Sequence, residues 1–271
     1  MPDPLHPVFE SLRRDRVDGP VVVAHRGDSA RFPENTLPAF RAACDLGVTM
    51  QEFDIRCSRD GVLLCIHDAT FDRTTDAPTR LGPGALVEQT TSQEVARLDA
   101  GAWWGVVHAG AKVPQLAQVL EVLRPGCIPM IEHKAGSADA FVQELRRLDA
   151  LRTCIVQSFD WHFVAAAGRL APELALATLG PTAQFPEPDA AAIAAALALG
   201  AGMMHWHDRA LHRADVDRIH AAGMLLCTYT TDGELGWRGG AALGFDAMCT
   251  NDPSGMLTLR RSGCLRSNGP G

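Results

Sequence analysis

Short runs of β-branched and apolar residues recur along the 271-residue chain, separated by stretches whose apolar positions repeat with the 3.6-residue period of a helix. Val21–Ala24 is the first such run, the mark of a strand buried on both faces. Thr36 can cap a helix running to Leu46, with Pro38 in its first turn and Gly47 as its stop. Met50–Cys57 reads as a strand, Asp60-Gly61 as a two-residue type I′ turn, and Val62–Asp68 as the return strand of a hairpin. From Ala69 to Lys112 the periodicity fails; only Ser92–Leu98 looks helical, which marks an insertion after the hairpin, and a stretch so long with little regular structure is more often functional than not. From Pro114 onward helices alternate with strands. The strands are Ile128–Glu132, Cys154–Ser158, Leu174–Thr178, Met203–Trp206, Leu225–Tyr229 and Ala247–Thr250, preceded by helices Leu116–Leu123, Ala138–Leu148, Trp161–Leu170, Ala190–Leu199, Ala214–Ala222 and Leu235–Leu243.

With Val21–Ala24 and the first hairpin strand this makes eight parallel-type strands, and the expected fold is α/β, a (β/α)8 TIM barrel with a small insertion after the second-strand hairpin. A doubly wound open sheet is the runner-up. The expected organisation is a polar lead-in over residues 1–20 with a helical turn near Phe9–Arg14, a barrel domain over 21–253 with its insertion at about 69–112, and a tail over 254–271 consisting of a short helix and then disorder.

Composition narrows the possibilities. Hydrophobic content of 46% and charged content of 21% are ordinary for a folded globular chain. A formal charge of −7, with no basic run longer than a pair, offers no electrostatic footprint for nucleic acid or an anionic membrane. The eight cysteines lie mostly inside apolar runs without a CxxC pair and read as reduced core residues. The N-terminus lacks a secretory pattern, and the longest apolar run, Ala190–Met204, is shorter than the roughly 18 residues of a spanning helix. The expectation is therefore a cytoplasmic protein with no stable membrane insertion and a small-molecule partner; nothing in the pattern fixes an oligomeric state.

The candidate chemistry lies at strand ends. A turn at Asp60-Gly61 pairs residues whose numbers sum to 121, which sets Asp54 opposite His67 with Cβ atoms about 5 Å apart, and Glu52 shares the face of Asp54. Two carboxylates so close need a proton or a cation between them, and oxygen ligands favour Mg²⁺ or Ca²⁺. His25-Arg26 ends the first strand; Glu132 and Lys134, two apart, end the third. In a barrel these all belong to the catalytic face. Three carboxylates, two imidazoles and two fixed cations suit metal-assisted phosphoryl chemistry, with Arg26 and Lys134 neutralising phosphate and a histidine moving a proton near neutral pH. No GxGxxG or GxxxxGK[ST] follows any strand, which leaves a nucleotide-binding reading little to stand on.

Other residues carry weaker signals. Trp103 and Trp104 pack the base of the insertion or meet the substrate, packing being favoured. His133 points away from the carboxylates by alternation and reads as packing. His205 and His207 share a strand face and resemble a second metal site, but no carboxylate or cysteine accompanies them by spacing, and the non-metal reading is preferred. Phe159, at a strand end, lines the mouth or packs the core.

The ordered set HRG (25–27), PENT (33–36), EFD (52–54), the DG turn, HDATFDRTT (67–75), IEHK (131–134), QSFD (157–160) and TNDP (250–253) resembles the glycerophosphodiester phosphodiesterase family over about residues 20–253. The resemblance implies a barrel with a small insertion after the HD motif. It implies that Glu52, Asp54 and Glu132 bind one divalent cation, Mg²⁺ or Ca²⁺, and that His25 and His67 are the general acid and base. Arg26 and Lys134 hold the phosphate, Asn35 supports the HRG loop or substrate, and Phe159 and Tyr229 face the substrate. The implied reaction is attack by the glycerol 2-hydroxyl on phosphorus, expelling the alcohol, then hydrolysis of a cyclic phosphate to sn-glycerol 3-phosphate. The sequence departs from the family at Tyr229, where Trp is usual, at Asp232, where Asn is usual, and at His133, where an aliphatic residue is usual. Two alternatives stand beside this expectation: the same chemistry on lysophospholipid or sphingolipid head groups, which an exposed apolar rim on the insertion would favour and which Phe71, Leu81, Leu86, Trp103 and Trp104 permit without requiring, and a non-catalytic barrel that binds a phosphate ester.

Overall fold

The chain's eight apolar runs close into a ring. The computed structural model describes residues 6–14, 19–123 and 126–265. In chain order the elements are α1 (Pro7–Arg14), β1 (Val21–His25), α2 (Leu37–Asp45), β2 (Met50–Cys57), β3 (Leu63–Cys65), α3 (Ala77–Arg80), α4 (Ser92–Val95), α5 (Leu116–Leu123), β4 (Ile128–His133), α6 (Ala138–Arg147), β5 (Ile155–Ser158), α7 (Trp161–Leu170), β6 (Ala175–Gly180), α8 (Ala190–Ala198), β7 (Ala201–His207), α9 (Arg213–Ala221), β8 (Leu225–Tyr229), α10 (Gly233–Leu243), β9 (Ala247–Thr250) and α11 (Pro253–Arg261). The strand order β1-β9-β8-β7-β6-β5-β4-β2 returns to its start through a parallel β1–β2 pairing, so the architecture is the (β/α)8 TIM barrel, not the open sheet. The disorder expected at the end of the tail concerns residues 266–271, outside the described residues.

Alternation sorts each strand's side chains between two cores. Val22, Ala24, Phe53, Ile55, Ile131, Val156, Met204, Trp206 and Met248 face outward and pack with the helices. Val21, Val23, Met50, Met130, Ile155, Ala175, Ala177, Met203, Leu225 and Cys227 fill the interior. The lower opening is closed from the lead-in: Val8, Phe9 and Leu12, one face of α1, join the interior cluster. Above this apolar filling the inward positions turn polar, at His25, Glu52, Asp54, Glu132, Gln157 and His205. The functional groups thus form the top layer of a packed interior.

The hairpin departs from expectation. Ile55 pairs with Cys65, Arg56 with Leu64 and Cys57 with Leu63, so paired numbers sum to 120, and β3 stops at Cys65 instead of running to Asp68. Ser58 N–H donates to the Val62 carbonyl (2.9 Å), closing a three-residue loop in which Gly61 alone has positive φ, at 83°. A type I′ turn needs a left-handed residue at both central positions. Asp60 instead accepts from Ser58 Oγ (2.7 Å), Ser92 N–H (2.8 Å) and Ser92 Oγ (2.7 Å), tying the turn to the start of α4.

Leu64, Ile66, Phe71, Ala77, Val87, Val95, Leu98, Ala100 and Val113 form a small core of their own under the irregular stretch. Trp103 and Trp104 are not in it: they are 37% and 40% exposed and meet each other edge to face at 5.5 Å, contrary to the expected packing role.

Candidate active site

The turn after β1 sets the site's first cation. Arg26 (φ 59°) and Gly27 (φ 83°) are consecutive left-handed residues, and a Cβ on Gly27 would lie 2.6 Å from the Ala39 backbone. Glycine therefore lets the chain fold back on α2 and swing Arg26 inward. Arg26 Nε lies 3.2 Å from Asp54 Oδ2, and its Nη1 donates to Glu34 Oε1 at 2.7 Å. Asn35, also left-handed, donates through Nδ2 to Asp54 Oδ2 at 2.9 Å and fixes that carboxylate from behind.

Glu52, Asp54 and Glu132 lie on neighbouring strands, Asp54 being in register with Glu132, and offer one oxygen each, all within 4.8 Å of one another. All three are 6% exposed or less. Lys134 reaches into the cluster, its Nζ 2.5 Å from Glu132 Oε1 and 3.3 Å from Asp54 Oδ1. Glu52 Oε2 is buried without a hydrogen bond.

Burial works against ionising Asp54, but Arg26 and Lys134 outweigh it and hold its carboxyl well below the usual range. Glu52 goes the other way: burial first, then Asp54 and Glu132, push its carboxyl well up. Glu132 is raised to about 7 by burial and by Asp54. Carboxyls that retain protons for want of positive charge, with an orphaned oxygen and only hard donors, fit a divalent cation held by Glu52, Asp54 and Glu132.

Two histidines flank the cluster, each held by its Nδ1. His25 Nδ1 lies 2.7 Å from Asn251 Oδ1, and Asn251 Nδ2 donates to Asp232 Oδ2 at 2.7 Å. The Asp232 carboxylate only accepts, so Asn251 must turn its oxygen to His25, whose hydrogen is then on Nδ1. The bare Nε2 stands 3.8 Å from Glu52 Oε2. Burial, then Arg26, lowers this imidazole to about 4.

His67 does not face Asp54 across a ladder, because the pairing is shifted by one residue and the strand has already ended. It reaches the same cavity from the following loop. Arg56 Nε donates to its carbonyl (2.8 Å), and its Nδ1 meets Asp68 Oδ1 at 2.6 Å. Arg73 clamps Asp68 (Nε to Oδ2, 2.6 Å) and forks onto Glu34 (2.7 and 2.8 Å), joining the support of His67 to that of Arg26. Glu34, Asp68, Arg73 and Asn251 are positioning residues that a strand-by-strand reading misses, though they stand inside PENT, HD, DRTT and TND.

A cavity of about 530 Å³ opens at the carboxyl ends of the strands, lined by His25, Arg26, Glu52, His67, Glu132 and Lys134 on one side. Phe159, His205, His207, Arg209 and Tyr229 line the other. Phe159 is 39% exposed, meets Tyr229 edge to face at 6.0 Å and lies 5.8 Å from Lys134 Nζ, so it belongs to the mouth and not to the core. Tyr229 donates its hydroxyl to the Gly180 carbonyl at 2.8 Å. His133 packs outward, stacked on Phe163 at 3.5 Å. His205 and His207 join no cluster of metal-type ligands among the described residues, but both line the cavity, a role their spacing did not reveal.

Residues 25–254 match the model of the glycerophosphoryl diester phosphodiesterase family. A glycerophosphodiester phosphodiesterase of Caldanaerobacter subterraneus is 30% identical over 250 residues, 90% of this chain and 98% of that one. An Oleispira antarctica phosphodiesterase, solved in complex with the product sn-glycerol-3-phosphate, superposes with a TM-score of 0.80 at 27% identity over 89% of this chain and 96% of that chain. An Agrobacterium tumefaciens glycerophosphodiester phosphodiesterase gives 0.76 at 28% identity over 88% and 99%.

Proposed function

The chain belongs to the glycerophosphoryl diester phosphodiesterase family of enzymes, and from that premise we propose that it hydrolyses glycerophosphodiesters to sn-glycerol 3-phosphate and an alcohol, with a divalent cation and two histidines. The observation that carries the reading is the meeting of Glu52, Asp54 and Glu132 with Arg26, Lys134 and two Nδ1-anchored imidazoles around one cavity. Glu52, Asp54 and Glu132 would hold Mg²⁺ or Ca²⁺, which when bound supplies Lewis-acid polarisation of a phosphoryl oxygen. Arg26 and Lys134 bind the phosphate and offset charge that grows in the transition state.

In the proposed sequence His25 Nε2 takes the proton of the glycerol 2-hydroxyl as its oxygen attacks phosphorus. Burial lowers the His67 imidazole and its contact with Asp68 opposes that lowering; His67 gives its proton to the departing alkoxide. The second half reverses the roles: His67 takes a proton from water as water opens the cyclic phosphate, and His25 returns its proton to the glycerol oxygen. Phe159 and Tyr229 flank the substrate, and Asn35 acts through Asp54.

The test is release of glycerol 3-phosphate from glycerophosphocholine and glycerophosphoethanolamine, before and after chelation, with Mg²⁺ and Ca²⁺ restored separately. Metal-restored release that Glu52→Ala and His67→Ala each abolish is the expected result. No release from folded, metal-loaded protein would leave the binding-only reading.

A second reading, cleavage of lysophospholipid or sphingolipid head groups by the same machinery, is favoured by one observation. Val106 and Val107 are each 85% exposed beside the half-exposed Trp103 and Trp104, in a stretch without charge from Ala100 to Val107. The base of this loop borders His67: Ala100 lines a small cavity with Glu34, Asn35 and His67. Such aromatic and β-branched tips suit a lipid surface. Turnover of lysophosphatidylcholine micelles that drops in Trp103→Ser/Trp104→Ser, with glycerophosphocholine turnover unchanged, would establish it. Absence of micelle turnover in the parent protein would remove it.

A further inference from the structure

All eight cysteines are reduced, and two of them meet where solvent reaches both. Cys44 stands in the last turn of α2 and Cys127 just before β4, each half-buried, and their thiols hydrogen-bond to each other. The contact follows from the fold. Met50 pairs with Ile128, and Ile128 N–H donates to the Thr49 carbonyl at 2.8 Å, so the chain entering β4 runs beside the turn that leaves α2. Both sulfurs therefore sit at the amino ends of the strands, on the floor side of the barrel and away from the catalytic cavity.

The two thiols are not equivalent. Cys44 Sγ accepts from Gln51 Nε2 at 3.1 Å, and the same amide donates to the Phe40 carbonyl at 3.1 Å. Gln51 is fully buried, which fixes this donor in place. The Cys127 thiol is the second donor, and the stronger one; the two lower Cys44 to about 7 against burial and the nearby Asp45 charge. Cys127 is pushed up, first by its bond to Cys44 and then by burial. Near neutral pH Cys44 is thus largely thiolate while its partner keeps its proton. A solvent-accessible thiolate with a protonated thiol beside it has what a peroxide-reactive cysteine and its resolving partner require. Gly126, at φ 110° and with no atom of the described residues within 4 Å of where a Cβ would stand, gives Cys127 room to close to the roughly 2 Å of an S–S bond.

We propose that Cys44 and Cys127 are a peroxide-responsive pair that closes reversibly into a disulfide. The Cys44 thiolate attacks one oxygen of a hydroperoxide: an S–O bond forms, the O–O bond breaks, and the departing oxygen takes a proton and leaves as water or alcohol. The Cys127 sulfur then attacks the sulfenic sulfur of Cys44. An S–S bond forms, the S–O bond breaks, and hydroxide leaves as water with the Cys127 proton. One peroxide is reduced, two thiols are oxidised, and a dithiol reverses the change. The bond closes a loop over residues 44–127, which carries Glu52, Asp54 and His67, and it ties the end of α2 to the entry of β4. Oxidation thereby restrains the unfolded chain and leaves the cavity as it is.

The test treats the full chain with equimolar hydrogen peroxide at neutral pH and maps its peptides without reduction, so that the exposed Cys264 is followed separately. The expected product is a Cys44–Cys127 disulfide, removed by dithiothreitol, in a protein that melts roughly 5 to 10 °C higher than the reduced form. In Cys127→Ser the sulfenic acid has no resolving thiol, and dimedone should label Cys44. In Cys44→Ser no disulfide should form and Cys127 should stay unlabelled. Oxidation confined to Cys264, with Cys44 and Cys127 recovered as thiols, overturns the inference. Dimedone labelling of Cys127 in Cys44→Ser as readily as of Cys44 in Cys127→Ser overturns the assignment of the two roles. A disulfide that leaves the melting temperature unchanged overturns the restraint drawn from the loop it closes.

Discussion

At the scale of single residues the site is governed by which atom of each polar group has its partner settled. Asp232 accepts from Thr250 Oγ1 (2.7 Å), Asn251 N–H (2.8 Å) and Asn251 Nδ2 (2.7 Å), and this sets the amide that sets His25. Asn251→Leu removes the acceptor for His25 Nδ1–H without touching substrate. It is expected to lower kcat by roughly 100-fold with little change in KM, measured by steady-state kinetics on a variant whose circular dichroism is unaltered. Asp232→Asn, which keeps an acceptor oxygen, should cost less. The carboxylates give a second prediction. Glu52 and Glu132 retain protons, through burial first and Asp54 next, Glu132 with a value of about 7. Mg²⁺ binding at pH 7 should therefore expel protons and weaken as pH falls. Titration calorimetry in buffers of different ionisation enthalpy reads that release directly; no proton release would contradict the electrostatics of the cluster.

At the scale of elements, α1 earns a place beyond that of a polar lead-in. Phe9 is 1% exposed among the interior residues of the barrel floor. Phe9→Ala should cost about 3–5 kcal/mol in urea unfolding and leave KM nearly unchanged, since the floor is the far end from the cavity. The eight strand–helix units were legible because a strand covered on both faces must be apolar throughout, and Leu225–Tyr229 and Ala247–Thr250 match their expected bounds. The hairpin differs by one residue from its local expectation because Asp-Gly suits two turns. Asp60 is drawn into the three-residue one by Ser92, a partner 32 positions away that no local pattern announces. His67 stands inside the HDATFDRTT motif and lines the cavity from the loop after β3, although no ladder pairs it with Asp54. Links between loops, such as Asp68–Arg73–Glu34, and contacts across an intervening strand, such as Gln157–His205, depend on closure of the barrel and leave no periodic trace.

At the scale of the whole molecule, acid should act on the metal-loaded and metal-free forms differently. Burial lowers His25 and His133 to about 4 and His205 to about 3, below the ordinary 6.5 of an unfolded histidine. The unfolded chain therefore binds these protons first, and stability they confer above about pH 6.5 is lost as pH falls toward 4, at up to about 1.4 kcal/mol per pH unit for each. Glu52 and Glu132 have the opposite sign: raised in the folded state, they take up protons there first, so in the metal-free protein they add stability as pH falls below about 7. A bound divalent cation keeps both ionised and removes that compensation. Urea unfolding between pH 7 and 4.5 should then show a steeper acid-side loss for the Mg²⁺-loaded protein than for the chelated one. Linkage ties this to the calorimetry: the difference between the two slopes, divided by 2.303RT, must equal the number of protons expelled on binding Mg²⁺ at the same pH. Coincident slopes together with no proton release would mean that Glu52 and Glu132 are already ionised in the metal-free protein, and they would lose their place as the source.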